Sequence, residues 1–184
     1  CMKTIIRTEY LERIIELNQT PDIKIITGIR RAGKSELMRA YISYLKSHFE
    51  NINIIFIDFM DMEYEGLKEY HALHTYVEEH YQAEKTNYVF VDEVQMCPNF
   101  ELAINSLYSK RKYDIYITGS NAFLLGAELA TLFTGRYIGI HVFPFSFREY
   151  CQYYNEINDK EKLFDEYTIK GCLLYTSPSP RDCS

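Results

Sequence analysis

With 184 residues, 47% of them apolar, the chain can form one ordinary domain with a sizeable core. A net charge of -6 excludes a surface built throughout for nucleic acid, while leaving room for a local basic groove. Cys1, Cys97, Cys151, Cys172 and Cys183 follow neither a metal-binding spacing nor the framework of a secreted disulfide domain.

No apolar run is long enough to span a bilayer, and the first residues lack a signal-peptide pattern, so a cytoplasmic chain without a membrane partner is expected. Tyr10, Leu11, Ile14, Ile15 and Leu17 trace one helical stripe, which Pro21 ends, giving an N-terminal helix within 1–20. Residues 23–29, IKIITGI, are a near-continuous apolar and β-branched run, the pattern of a strand buried on both faces. Leu37, Tyr41, Leu45 and Phe49 recur every fourth residue and predict a helix over 34–48. A second buried strand follows at 53–59, then a weaker, polar helix at about 67–82. The third strand is 88–94, and Phe100, Ala103, Ile104, Leu107 and Tyr108 put one apolar face on the helix after Pro98. A fourth strand at 114–120, a helix at 121–133, a fifth strand at 136–143 and a further helix starting near 144 complete the series. Five apolar strands alternating with helices predict an α/β fold, with a parallel sheet covered on both sides. Right-handed crossovers then gather the loops after the strands along one edge.

The corner between the first strand and the next helix reads GIRRAGKS, residues 28–35, and satisfies G-x-x-x-x-G-K-[ST] in the strand–helix setting that this motif requires. Its glycines let successive backbone N–H groups face inward and hold phosphate oxygens, and the following helix N-terminus adds to the field. The expected nucleotide-binding set is Gly28, Ile29, Arg30, Arg31, Ala32, Gly33, Lys34, Ser35 and Glu36. Lys34 would reach the β- and γ-phosphates, and the Ser35 hydroxyl would ligate Mg²⁺. Arg30 and Arg31 either add positive potential over the phosphates, touch a neighbouring subunit, or are solvated loop arginines.

The third strand ends in VFVDEVQ. Asp92 is expected in the Mg²⁺ shell, the role of a Walker B aspartate. By the period-two geometry of a strand, Glu93 should point the other way and orient an attacking water. No [NT]-K-x-D motif for guanine is present, and paired acids favour ATP hydrolysis over phosphoryl transfer to a small molecule. A nucleotide-dependent switch without hydrolysis and a small-molecule kinase remain as alternatives. His71, His74 and His80 share a helical spacing, but a solvated face explains them better than a metal pair. Asp58 and Asp61 read as loop acids, and the 17 tyrosines and 11 phenylalanines as packing rather than a platform for bases.

The segments ITGIRRAGKS, VFVDEVQ, ITGSNAFLL and LFTGRYIGIHVFPFSFREY, in this order, resemble a prokaryotic AAA-type P-loop ATP-binding protein of the kind followed by a C-terminal domain of unknown function. The resemblance implies a three-layer P-loop NTPase whose five-stranded parallel sheet has the order 5-1-4-3-2. It implies Mg-ATP hydrolysis that drives a conformational change in a C-terminal domain. It places Ser120 and Asn121 at the sensor segment, where a polar group could bond the γ-phosphate or the attacking water; both residues are equally suited to capping the next helix. Arg136 falls where related ATPases carry an arginine finger acting on a neighbour's nucleotide, so it makes a homo-oligomer a candidate partner state; a salt-bridged strand-start arginine is the alternative. Nucleic acid is a candidate partner through the missing C-terminal domain. The expected layout is an N-terminal helix (1–20), an ATPase domain (21–150), the start of a linker or truncated region (151–171) and a non-native tail (172–184). Residues 172–182, CLLYTSPSPRD, resemble a translated sequencing adapter, and Cys1 before Met2 resembles an untrimmed start.

Overall fold

A computed structural model describes residues 8–120, 131–133 and 135–144 of the chain. The predicted helix over 121–133 lies outside these residues except for 131–133, which are helical; the helix expected from 144, the 151–171 segment and the tail lie outside them as well. In chain order the elements are α1 (Thr8–Glu16), β1 (Ile23–Gly28), α2 (Lys34–His48), β2 (Ile52–Asp58), α3 (Tyr70–Glu79), β3 (Thr86–Asp92), α4 (Phe100–Ser109), β4 (Tyr113–Ser120) and β5 (Tyr137–His141). The strands form one sheet in the order β2-β3-β4-β1-β5, with all pairings parallel, which is the expected 5-1-4-3-2 read from the other side. No described helix is long and apolar enough to cross a membrane.

Strand alternation divides the core in two. Ile23, Ile25, Val89, Val91, Ile115 and Ile117 face α3 and α4, where Leu73, Val77, Ile104 and Leu107 close an aliphatic layer. Ile26, Tyr88, Phe90 and Tyr116 face α1 and α2, against Ile14, Met38, Tyr41 and Leu45. This second layer is aromatic: Tyr116 lies 4.9 Å from Phe90 and 5.1 Å from Tyr41, centre to centre. Its polar tips are satisfied within the core. The Tyr116 hydroxyl donates to Asp114 (3.0 Å) and meets the Tyr41 hydroxyl at 3.0 Å, while Asp114 pairs with the fully buried Lys24. Asp114 also accepts the backbone N–H of Gln19 (2.9 Å), fixing the α1–β1 connection to the start of β4.

One expected element is shorter than its periodicity suggests. The helix predicted over about 67–82 is α3, Tyr70–Glu79, and a 3-10 turn, Met62–Leu67, precedes it. Glu69 is the reason: in an extended conformation its carboxylate accepts the N–H groups of His71 and Ala72, so it caps a helix that begins at Tyr70.

Candidate functional site

β1 leaves the sheet at Gly28, which lies level with Ser120 of β4. A Cβ at Gly28 would stand 2.5 Å from the Val142 carbonyl oxygen, so only glycine lets the loop start this close to the chain leaving β5. The loop then turns through Arg31, at φ 66°, and Gly33, at φ 88°, with Ala32 donating back to Ile29 (3.2 Å). Gly33 precedes α2 without any side-chain cap, leaving the helix's first amides to whatever occupies the loop. Ile29, Arg30 and Arg31 are exposed and Ala32 is buried, while Glu36 turns outward to pair with Arg39 (3.3 Å).

Lys34 is buried and folds over the loop, donating to the carbonyls of Gly28 (3.1 Å) and Ile29 (2.8 Å). Burial holds its pKa below that of an ordinary lysine. The charges of Glu93 and Asp92 oppose this shift, and that of Arg30 adds to it. Lys34 therefore shares one electrostatic neighbourhood with both acids, although β4 lies between their strands. The Ser35 hydroxyl, half-buried on the first turn of α2, makes no hydrogen bond among the described residues.

Asp92 ends β3 and is buried, accepting a short hydrogen bond from the Thr118 hydroxyl on β4. The same hydroxyl oxygen accepts the backbone N–H of Glu93 at 3.0 Å. Thr118 thus bridges the two acids, and sequence reading missed it. The available signal was a polar residue inside the run IYITGS, two residues before the end of β4; the structure buries it fully. The period-two placement of Glu93 does not hold: β3 stops at Asp92, and Glu93 adopts a left-handed φ of 53° that opens a 3-10 turn, Val94–Met96. Its carboxylate is held by the side-chain amide of Gln95, whose own carbonyl oxygen is buried without a partner.

The remaining candidates are scattered. Ser120 is half-buried beside Gly28; Asn121 lies outside the described residues. Arg136 stands just before β5, where its carbonyl accepts the N–H of Ile23, so it sits at the strand-start edge. Five residue steps of ~3.3 Å along β1 separate that edge from the loop, roughly 17 Å. Asp58 lies level with Asp92 but is engaged by Arg39 (3.1 Å). His71 pairs with Glu69, His74 with Ser106 and His80 with the Tyr76 carbonyl, and no group of three metal-ligating side chains exists among the described residues.

A glycine-bounded loop between a buried strand and a helix, with acids on the next strand but one of a 2-3-4-1-5 parallel sheet, defines a three-layer P-loop NTPase fold. A family model described as an AAA domain matches residues 20–151, and the chain belongs to that family. An uncharacterized protein of Haemophilus influenzae is 36% identical over 172 residues, covering 91% of this chain and 43% of the relative. An uncharacterized protein of Methanocaldococcus jannaschii is 28% identical over 150 residues, covering 81% and 33%. The chain therefore spans less than half the length of these relatives. Among solved structures, AMPPCP-bound DnaA from Aquifex aeolicus superposes with a TM-score of 0.56 at 16% identity, covering 91% of this chain and 57% of that one. ORC1 from Aeropyrum pernix in complex with DNA gives 0.57 at 9%, covering 89% and 51%. Hsp104 from S. cerevisiae in complex with casein gives 0.59 at 13%, covering 89% and 31%. At these identities the likeness is one of fold.

Proposed function

We propose that this domain binds Mg-ATP and hydrolyses its β–γ bond, driving a conformational change in a further part of a longer protein. The observation that carries the reading is the buried Lys34 ammonium, held at the loop mouth within the field of Asp92 and Glu93. The fold shared with AMPPCP-bound DnaA supports a nucleotide as the ligand. The greater length of the relatives supports a further part to be moved.

The loop amides and the start of α2 receive the phosphates, and Lys34 exchanges its two loop carbonyls for phosphate oxygens. Ser35 and Asp92 offer a hydroxyl and a carboxylate, a hard-oxygen pair suited to Mg²⁺, which takes few protein ligands and completes its shell with phosphate and water. When bound, Mg²⁺ would neutralise charge developing on the β- and γ-phosphates. Thr118 fixes the Asp92 carboxylate and the Glu93 backbone, so that Glu93 can orient and deprotonate the attacking water. Ser120, or Asn121 beyond it, would report the γ-phosphate. Arg136 lies at the edge far from its own loop, so any nucleotide it reached would be bound to a neighbouring copy.

The Gln95 amide on the Glu93 carboxylate favours a second reading, a nucleotide switch without turnover, if that bond persists when ATP is bound. Phosphate release and binding of a fluorescent ATP analogue, measured on the full-length protein, separate the two. Lys34→Ala should abolish binding, whereas Glu93→Gln should bind and not turn over. Equal turnover in Glu93→Gln would remove its assigned role, and retained ATP with no phosphate release in the parent would establish the switch.

A further inference from the structure

We propose that the strand-start edge of the sheet, opposite the phosphate loop, carries a second anion site that holds the phosphate backbone of duplex nucleic acid. Three connections deliver its cations. Lys85 precedes β3, Arg111 and Lys112 form the turn between α4 and β4, and Arg136 precedes β5. Lys85, Arg111 and Lys112 line, together with Tyr108 and Tyr113, a surface cavity of about 290 Å³. The guanidinium groups of Arg111 and Arg136 lie 4.8 Å and 5.8 Å from the centre of one ring, that of Tyr108. The Lys112 ammonium lies 4.1 Å from the Tyr81 ring and 5.3 Å from the Tyr113 ring.

These ring contacts pre-order Arg111, Arg136 and Lys112, and they leave the two guanidiniums their full charge. Among the described residues, Lys85, Arg111 and Arg136 have no carboxylate partner; Asp114, which also lines the cavity, is paired with Lys24, and Glu78 on α3 with Lys110 (2.5 Å) and Lys112 (3.5 Å). A local surplus of positive charge thus stands on a chain of net charge -6. Arg111 also adopts a left-handed φ of 57°, sparsely populated by residues other than glycine and asparagine, and it presents its side chain beside Tyr108.

The geometry selects phosphodiesters over other anions and over bases. Two planar guanidiniums on one ring offer forked donors to tetrahedral oxyanions. The cations are spread along an edge rather than closed around one point, which suits a polymer. Tyr108 is buried and Tyr113 half-buried, and both rings are occupied by cations, so bases cannot stack on them and binding is independent of sequence.

The test is fluorescence anisotropy of a labelled short duplex with the full-length protein, titrated between about 50 and 200 mM KCl. Each phosphate contact contributes a slope of about -0.9 in log K against log salt. Replacing Lys85 by Gln and Arg111 by Asn together should weaken binding equally for unrelated sequences and reduce that slope by about 2. Arg111→Asn alone, in a conformation that asparagine tolerates, should reduce it by about 1, and Arg111→Lys should restore it. Lys34→Ala should leave duplex binding unchanged, so failure of the ATP reading and failure of this one are distinguishable. No duplex binding by the parent, or an unchanged slope in Arg111→Asn, overturns the proposal. It is overturned equally if Arg111→Asn alters only the dependence of ATP turnover on protein concentration, because the cluster would then serve a neighbour's triphosphate.

Discussion

Thr118→Val is the sharpest probe of how the acidic strand end is organised. Valine keeps the shape of threonine and deletes one hydroxyl from a fully buried position. That hydroxyl donates to the Asp92 carboxylate and accepts the Glu93 N–H at 3.0 Å, so two bonds disappear together. A hydrogen bond to a charged group contributes about 1.5–3 kcal/mol, and a part-buried N–H left without an acceptor costs about 1–3 kcal/mol. Neighbouring terms of this kind do not add fully, so a net loss of about 2–4 kcal/mol is expected, or roughly 5–15 °C in melting temperature for a domain of this size. Activity should fall further than stability explains. On the proposed mechanism Asp92 would be free to rotate away from a bound Mg²⁺, and Glu93 would lose the bond that anchors its left-handed turn. A misplacement of the attacking water on this scale costs roughly 10- to 100-fold in turnover. Phosphate release and thermal melting on the same preparation give both quantities, and binding of a fluorescent ATP analogue should remain within a few-fold. Thr118→Ser should recover most of each. If Thr118→Val melts with the parent protein and releases phosphate as fast, the bridge has no role and the reasoning fails.

Three other perturbations address the loop, the core and the surface. Gly28→Ala places a Cβ 2.5 Å from a backbone carbonyl that cannot rotate aside, so it should destabilise by about 1–3 kcal/mol and weaken nucleotide binding, whereas Gly139→Ala, with nothing within 4 Å, should be neutral in a denaturant titration. Asp114→Asn strands the buried Lys24 ammonium and should cost about 3–5 kcal/mol in urea unfolding, part of it recovered when Lys24→Met is added, because asparagine still offers an oxygen to the Tyr116 hydroxyl and the Gln19 N–H. Burial pushes the Glu78 carboxyl upward, but hydrogen bonds from Lys110 and Tyr113 and the charges of Lys110 and Lys112 overcome it and hold the group at about 2. A lowered carboxyl stabilises the fold above its unfolded value near 4.5, and that contribution is lost as pH falls from about 4.5 toward 2. With a quarter of the side chain exposed, it should be on the order of 1–2 kcal/mol, and Glu78→Gln should flatten the acid limb of melting temperature against pH.

What could be read from the chain, and what could not, follows from the range of the forces involved. Helix α2 occupies 34–48 as its four-residue apolar repeat predicts, because burial of one face decides a helix of that length. The five strands appear within a residue or two of their apolar runs; β1, β3 and β4 are central and buried on both faces, whereas β2, expected to be buried, is an edge strand and mostly half-buried, as is β5. The strand order came through resemblance, and the parallel pairings agree with it. Local capping was harder to read: Glu69 starts α3 by accepting two amide protons, a role that glutamate seldom fills, so the helix begins later than its periodicity suggests. The end of β3 was misplaced for a related reason. Val94 looks like strand continuation, yet its burial comes from the turn that Glu93 opens, and the alternation used to aim Glu93 stops at Asp92. Thr118 was invisible because its importance lies in a bond across two strands 26 residues apart in sequence.

β1 and β4 run between the two edges to which activity is assigned. β1 ends at Gly28 and begins beside Arg136, while β4 ends at Thr118 and Ser120 and begins at the turn carrying Arg111 and Lys112. A packed parallel sheet is stiff, and the Lys24–Asp114–Tyr116–Tyr41 chain ties β1, β4 and α2 together beneath it, so the strands themselves are poor candidates for a two-state element. The groups with two plausible arrangements are at the loop edge. On the proposed mechanism, Lys34 bonds carbonyls that phosphate oxygens would replace, and Glu93 bonds an amide that would have to release it before it could act on water. Coupling between the edges is therefore expected to be weak within one copy. If bound duplex changes ATP turnover, the change should require contact between copies: it should vanish on dilution below the assembly threshold while the salt slope of duplex binding persists.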